Sequence, residues 1–359
     1  MIANIIMQTN NIMSFSKYPD DHVYYNCLYN NNTNELRPAI FSETRTSPFI
    51  MNPSLYHLAI IRFTIPTFSI PLFLWKTVNN DKITPDNNYY AFTFRYNAVQ
   101  HTEFVQYINW SNNQPPGVYS ILNLLVMLNT CLNNAFIFMT ANAPGFSALV
   151  TTPPYFTYDN SNFTINLCAE VGYLCNSDSP TGIKIYTNYV THLMFESVPH
   201  IRTSSLFNQY KILMVIDKTG NNNITSNCPI GSYPAIPAYE MRSEFNTLQN
   251  LSSLKSILIT SNTIRTKEEY ITTVNSLNTD ASALIVTDFE PNKDESARQW
   301  MQYDPQIYRY VDLKSNDLMR SVDLNIYWTD NNGNVYPLYI GPSMYFSVKL
   351  LFTLKNSIH

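Results

Sequence analysis

The side chains able to do chemistry are few and scattered. Histidines stand at His22, His57, His101, His192, His200 and His359, and no two have metal-ligand spacing such as H-x-x-x-H. His57 lies inside an apolar run, where the expected role is a packed or edge histidine. The segment "SVPH" (197–200) has no G-x-S-x-G nucleophile elbow near it. Neither a P-loop nor a G-x-G-x-x-G occurs, and only 8 glycines serve the chain. Asp288 and Glu290 in "VTDFEP" have the types for general acid/base work, against the commoner use of such residues in turns and ion pairs. Asp330 with Asn331, Asn332 and Asn334 offers oxygens to calcium, but without a matching distal carboxylate a hairpin turn is the better reading. "WMQYDPQIYRY" (300–310) sets aromatics beside Arg309, a pattern more often interface or core than a base-stacking platform. Cys27, Cys131, Cys168, Cys175 and Cys228 are odd in number and form no C-x-x-C, so free thiols in a reducing compartment are expected. No residue is assigned as catalytic, cofactor-binding or metal-ligating, and no cofactor is implied. The parts of an enzyme are missing.

What remains is the framework that would position such groups. Charged residues make up 13% of the 359, against about 25% in an ordinary soluble domain. Aromatic residues reach 14%, with 26 Tyr and 20 Phe, and Asn fills about one position in eight. Asn disfavours helix interiors because its amide competes for nearby backbone groups, whereas Tyr, Phe, Thr, Ile and Val favour strands. The composition therefore leans mainly β with long polar loops. A net charge of −4 without any basic run leaves no electrostatic footprint for nucleic acid. No secretory signal is expected, since no basic n-region precedes an apolar h-region.

The stretch "SLYHLAIIRFTIPTFSIPLFLW" (54–75) is long enough to span a bilayer. Arg62 and His57 inside it, and two helix-breaking prolines at Pro66 and Pro71, argue against that. A strand from about Tyr56 to Ile65 is expected, with Leu58, Ile60, Arg62 and Thr64 on one face and Ala59, Ile61, Phe63 and Ile65 on the other. A short edge-like segment then runs to Trp75. Alternation marks further strands. "YYAFTFRYNAV" (89–99) sets Tyr90, Phe92, Phe94 and Tyr96 against Ala91, Thr93 and Arg95. "NFTINLCAEV" puts Phe163, Ile165 and Leu167 together; "GIKIYTNYV" and "QYKILMVID" are similar. "SVDLNIYWTD" sets Val322, Leu324, Ile326 and Trp328 inward, followed by a turn at "DNNGN" (330–334). "MYFSVKLLFTLK" aligns Phe346, Val348, Leu350, Phe352 and Leu354. Half-buried antiparallel strands of this kind build sandwiches and jelly rolls. Two short surface helices are expected: 120–136, capped by Ser120, and 266–277, with a capping box from Thr266 to Glu269.

In order and flavour, these segments resemble the minor capsid, or penton, proteins of virophages and polinton-like viruses. The resemblance runs from about residue 50 to residue 355 and rests on "PSLYHLAIIRFTIPTFSIPLF", "YYAFTFRYNAV", "IYTNYVTHLMFESVP", "LSSLKSILITSNTI", "LIVTDFEP" and the closing "YRYVDLKSNDLMRSVDLNIYWTDNNGNVYPLYIGPSMYFSVKLLFTLK". It implies a jelly-roll β-sandwich with a β-rich inserted or second domain and two short helices. The expected division is an N-terminal arm (1–39), a jelly roll (40–100 with 245–359) and an inserted projecting unit (101–244); two successive β domains split near 217–239 are the alternative. It further implies a homopentamer at icosahedral vertices of a virion assembled in the host cytoplasm. Its expected partners are its own copies and the major capsid protein, with no membrane span and no specific nucleic-acid contact. The alternatives are another virion structural protein, such as a major capsid subunit or fibre, and a carbohydrate-binding β-sandwich module. A large, aromatic, charge-poor surface suits obligate contacts between copies.

Overall fold

The computed structural model describes residues 21–75, 90–108, 117–175, 181–202, 212–216, 238–243, 247, 252–266, 284–291 and 299–355. The helix expected over 266–277, the loop expected over 217–239 and Cys228 lie outside these residues, apart from the end positions of the first two.

Two antiparallel sheets face each other. The first pairs His22–Asn30, Tyr345–Leu354, Tyr56–Pro66 and Trp300–Tyr303 in that order, with Val311–Asp312 also on Tyr56–Pro66. The second pairs Leu284–Phe289, Leu254–Ser261 and Ser321–Asp330, and on the other side of Ser321–Asp330 lie Ile40–Thr44 and Val335–Pro337. The two pieces at 300–303 and 311–312 act as one interrupted strand. Numbered along the chain, the main strands then stack as first, eighth, third, sixth in one sheet and second, seventh, fourth, fifth in the other. That is the double Greek key of a jelly roll. Between the sheets, Leu58, Ile60, Phe63, Ile257, Ile259, Val322, Leu324, Trp328, Phe346, Val348 and Phe352 form one buried core.

The third strand departs from the expected alternation. Leu58 and Ile60 are buried, but so are Phe63 and Ile65, while Arg62 is exposed. The pairing with the last strand steps from Ile60 opposite Leu350 to Arg62 opposite Lys349, which leaves Ile61 as an extra residue. A β-bulge of this kind resets the phase. It returns Phe63 and Ile65 to the core, worth roughly 3–6 kcal/mol for two large apolar side chains, against about 1 kcal/mol for an interrupted ladder hydrogen bond.

A second core gathers between the third and fourth jelly-roll strands. Tyr155–Asp159, Thr164–Glu170 and Ala238–Met241 form one sheet. His200–Arg202, Ile212–Met214, Ile183–Thr187, Ala91–Tyr96 and Val99–Phe104 form another. Phe92, Phe94, Phe156, Ile165, Leu167, Ile183 and Ile185 meet there with Leu124, Leu128 and Leu132 of the helix Ile121–Asn142. The strand Ala91–Tyr96 thus packs with this core rather than with the jelly roll expected to hold residues 40–100.

Four further expectations are corrected here. His22–Asn30, inside the segment expected as an arm, pairs along its whole length with Tyr345–Leu354 and buries Tyr25 and Cys27. The helix expected to end at 136 and to lie on the surface runs to Asn142. It buries Leu124, Met127, Leu128, Cys131, Leu132, Ala135 and Met139, one stripe at helical spacing. Its start is as expected, Ser120 Oγ accepting the Asn123 amide at 3.1 Å. By length and mean hydropathy (1.6) this helix is apolar enough to cross a membrane, yet its stripe packs on the second core. Phe163, expected beside Ile165 and Leu167, takes φ 56° at a turn and is 48% exposed. The strand in "GIKIYTNYV" stops at Thr187, where Asn188 caps the short helix Tyr189–Met194 by accepting the Thr191 amide at 3.0 Å.

Candidate interaction surfaces

Several of the residues with chemical potential hold structure. Asp288 and Glu290 are both exposed, and Asp288 pairs with Arg309 in an exposed ion pair. Asp330 is buried in its hairpin: its carboxylate accepts the amides of Asn332 and Asn334, both at 2.9 Å, and the Asn334 side chain at 2.9 Å. Gly333 takes φ 82° there, a conformation costly for any other side chain. Tyr336 donates to the same carboxylate, and burial followed by the charge of Asp330 pushes its phenol up to about 12. His57 Nδ1 lies 2.9 Å from Asp312, which also meets Lys355 at 3.1 Å. His192 and His200 approach ring to ring at 4.1 Å. Burial first, then His200 and Arg202, push His192 down to about 4, so it is neutral near pH 7. Among the described residues no group of three or more His, Cys, Asp or Glu is placed to hold a metal. Cys27, Cys131, Cys168 and Cys175 are buried and in no disulfide, and burial raises Cys27 to about 12, away from thiolate chemistry.

Two carboxylates that sequence reading passed over organise loops. Asp323 accepts from Ser261 Oγ at 2.6 Å, Thr263 Oγ1 at 2.6 Å and the amides of Asn262 (3.0 Å) and Thr263 (2.7 Å). Burial alone would raise its pKa, but the donors from Ser261, Thr263 and Asn262 together hold it below the ordinary 3.8. Glu170 accepts the Thr151 amide and the hydroxyls of Thr151 and Thr152. The available signal was the hydroxyl-rich run beside each strand, "TSNT" (260–263) and "TT" (151–152).

The surface is where unspent apolar area lies. The jelly roll has two unlike lateral edges. On one, His22–Asn30 ends the first sheet with Tyr24 and Leu28 both more than half exposed. On the other, the strands Trp300–Tyr303 and Val311–Asp312 end the sheet, and the segment between them leaves Ile307 86% exposed and Tyr310 partly so; Trp300 lies tilted against Tyr345 at 4.8 Å. The helix Ile121–Asn142 carries no charged residue, and Leu122, Val126 and Ile137 stand on its open side. Apolar area of this kind on a folded surface marks association.

The fold is a jelly roll enlarged between two of its strands, with two unlike lateral edges that each expose apolar side chains among polar ones. A family model described as Sputnik minor capsid protein V18/19 matches residues 23–123 and 116–354, and the chain belongs to that family. Structural protein V19 of Sputnik virophage is 28% identical over 208 residues, covering 56% of this chain and 94% of V19. Uncharacterized protein V18 of the same virophage is 31% identical over 138 residues, covering 32% of this chain and 83% of V18. A chain in the 3.5 Å cryo-EM structure of the Sputnik virophage aligns over 94% of this chain and 99% of its own length, with TM-score 0.74 and 28% identity. The mavirus penton protein aligns over 93% and 99%, with TM-score 0.62 and 14% identity, a likeness of fold. The chain is a virion structural protein.

Proposed function

We infer that this chain assembles as a homopentamer that closes the fivefold vertices of a virophage-type capsid and abuts the major capsid protein around it, in a role that is structural rather than catalytic. The observation that carries this reading is the pair of unlike lateral edges. A cyclic ring needs heterologous contacts, in which one face of a subunit meets a different face of the next. The His22–Asn30 edge with Tyr24 and Leu28 supplies one such face, and the 300–312 edge with Ile307 and Tyr310 supplies the other. A two-fold dimer would instead pair one edge with itself. The reading divides the chain into a jelly roll, about 21–72 with 252–355, and a unit inserted after the third strand, about 73–243, that projects from the shell; the two separate cores support that division. Assembly takes place in the host cytoplasm, consistent with buried cysteines in no disulfide.

Mass photometry of the purified chain tests this reading. A population at five times the subunit mass is expected, and Leu28→Asp, which places a charge on one edge, shifts it toward monomer. A stable trimer would favour a major-capsid or fibre role, and a stable monomer that binds glycans would favour a recognition module.

A further inference from the structure

The inserted unit joins one end of the sandwich, where Leu254 pairs with Asp330. The opposite end, past Ser261 and before Ser321, carries a cavity of about 330 Å³. Asn262, Thr263 and Arg265 line it on one side, and Ser315, Asp317 and Arg320 on the other. Both walls are fixed before any ligand arrives. Asp323 holds the first through its bonds to Ser261, Asn262 and Thr263. The second is tied to the neighbouring chain by Met319 N to Ile50 O at 2.9 Å, Phe49 N to Met319 O at 3.0 Å and Arg45 N to Arg320 O at 2.9 Å.

Arg265 and Arg320 are both exposed, and among the described residues neither meets a carboxylate at ion-pair distance. Four other arginines are matched, Arg37 with Glu35, Arg45 with Glu43, Arg242 with Glu240 and Arg309 with Asp288, whereas Arg62, Arg95 and Arg202 have no ion pair among the described residues either; what sets Arg265 and Arg320 apart is that they line one cavity. Two unmatched guanidinium forks over a preformed polar concavity suit carboxylates, which they bind through paired N–H donors.

We propose that this cavity takes the carboxylate side chains of an acidic peptide segment from a neighbouring shell protein, with Arg265 and Arg320 as its two anchors. The identity of the partner as a shell protein rests on the vertex reading; the carboxylate chemistry rests on the cavity. The lining favours peptide over nucleic acid. Asp317 sits in the cavity and Leu318 beside it is 46% exposed, so the site mixes charge signs with apolar surface. A phosphate backbone calls for an extended basic stripe, and the chain has a net charge of −4.

The test uses fluorescence anisotropy on the full chain at low salt. The probes are a labelled peptide of alternating glutamate and leucine, its glutamine counterpart and a labelled single-stranded oligodeoxythymidylate. The glutamate peptide is expected to bind, the other two much more weakly. The Arg265→Gln and Arg320→Gln double variant is expected to lose about tenfold or more in affinity, with an unchanged thermal midpoint. Equal binding by the double variant, equal binding of the glutamine peptide, or tighter binding of the oligonucleotide overturns the proposal. Mass photometry on the same samples separates the two readings. Pentamers that ignore the glutamate peptide sink the cavity assignment alone, and monomers that bind it in an arginine-dependent way uphold the site while sinking the vertex assignment.

Discussion

The two cores of this chain use similar apolar side chains under different covers. In the jelly roll, Ser321–Asp330 and Tyr345–Leu354 bury one face continuously and leave half-buried positions such as Asn325, Tyr327, Ser347 and Lys349 on the other. In the inserted unit, Thr164–Glu170 and Ile183–Thr187 are buried at every position. A strand covered on both sides cannot leave its outward polar groups to water and must pair them internally. Hence Asn166 donates to Glu240 at 3.2 Å and accepts the Ser243 amide at 3.1 Å, Glu170 gathers Thr151 and Thr152, and Lys184 donates to the Thr181 carbonyl at 3.1 Å. The helix side chain of Asn129 even completes a strand edge, bonding both the carbonyl (3.0 Å) and the amide (2.6 Å) of Phe156. Both units combine apolar packing with buried polar bonds; in the jelly roll these gather at strand ends and turns around Asp323 and Asp330, whereas in the insertion they run along strands covered on both sides.

The comparison breaks most visibly at the cores. Phe63→Ala in the jelly roll and Phe156→Ala in the insertion each empty a fully buried site and are expected to cost about 3–5 kcal/mol. In a denaturant titration each variant moves its own transition if the cores unfold separately; one shared shift would merge them into a single cooperative unit. A smaller effect is expected from Asp323→Asn, which turns an amide N–H toward groups that are themselves donors. The cost is about 1–3 kcal/mol, confined to the jelly-roll transition.

The smallest effect concerns acid. His192 is held neutral in the folded state, so the unfolded chain takes up its proton first. Its contribution is complete above the ordinary 6.5 and declines as pH falls toward about 4. Asp323 is depressed from 3.8, so its contribution persists through that window and declines only below it. The protection factors of the amides around 189–202, taken against the intrinsic exchange rate at each pH, are therefore expected to fall between about pH 6 and pH 4 while those of Leu254–Ser261 hold. Simultaneous loosening would show that the two regions do not differ in acid response.

The same contrast decides what the sequence discloses. Strands with one wet face announce themselves by alternation, and "SVDLNIYWTD" and "MYFSVKLLFTLK" disclose most of their core positions, although Asp323, Thr329 and Thr353, read as outward, are buried and Leu354, read as inward, is only half-buried. His22–Asn30 escaped notice because Tyr24 and Leu28 are apolar on its open face while Tyr25 and Cys27 are apolar on its buried one, which flattens the period. The bulge at Ile61 was invisible because its evidence is a pairing register with a strand at the far end of the chain. Fully covered strands give weak alternation, so "NFTINLCAEV" and "GIKIYTNYV" are legible as strands but their burial on both faces is not. The helix was cut short at Phe136, where Ile137 and Phe138 fall off the buried stripe. The Arg265–Arg320 cavity depends on strand pairing to unite two distant loops, and no local motif announces it.

One junction has a practical corollary. Where the chain leaves the jelly roll, Leu72 O accepts the Ser253 amide and Pro71 O accepts the Ser253 hydroxyl, each at 3.2 Å, so the departing and returning backbones touch. The whole insertion is therefore, to the sandwich, a closed loop whose length scarcely matters, because closure entropy grows only logarithmically with residue number. Any module whose own termini lie side by side can be grafted at this position without redrawing the scaffold. A lineage can thus exchange the inserted unit while keeping the sandwich.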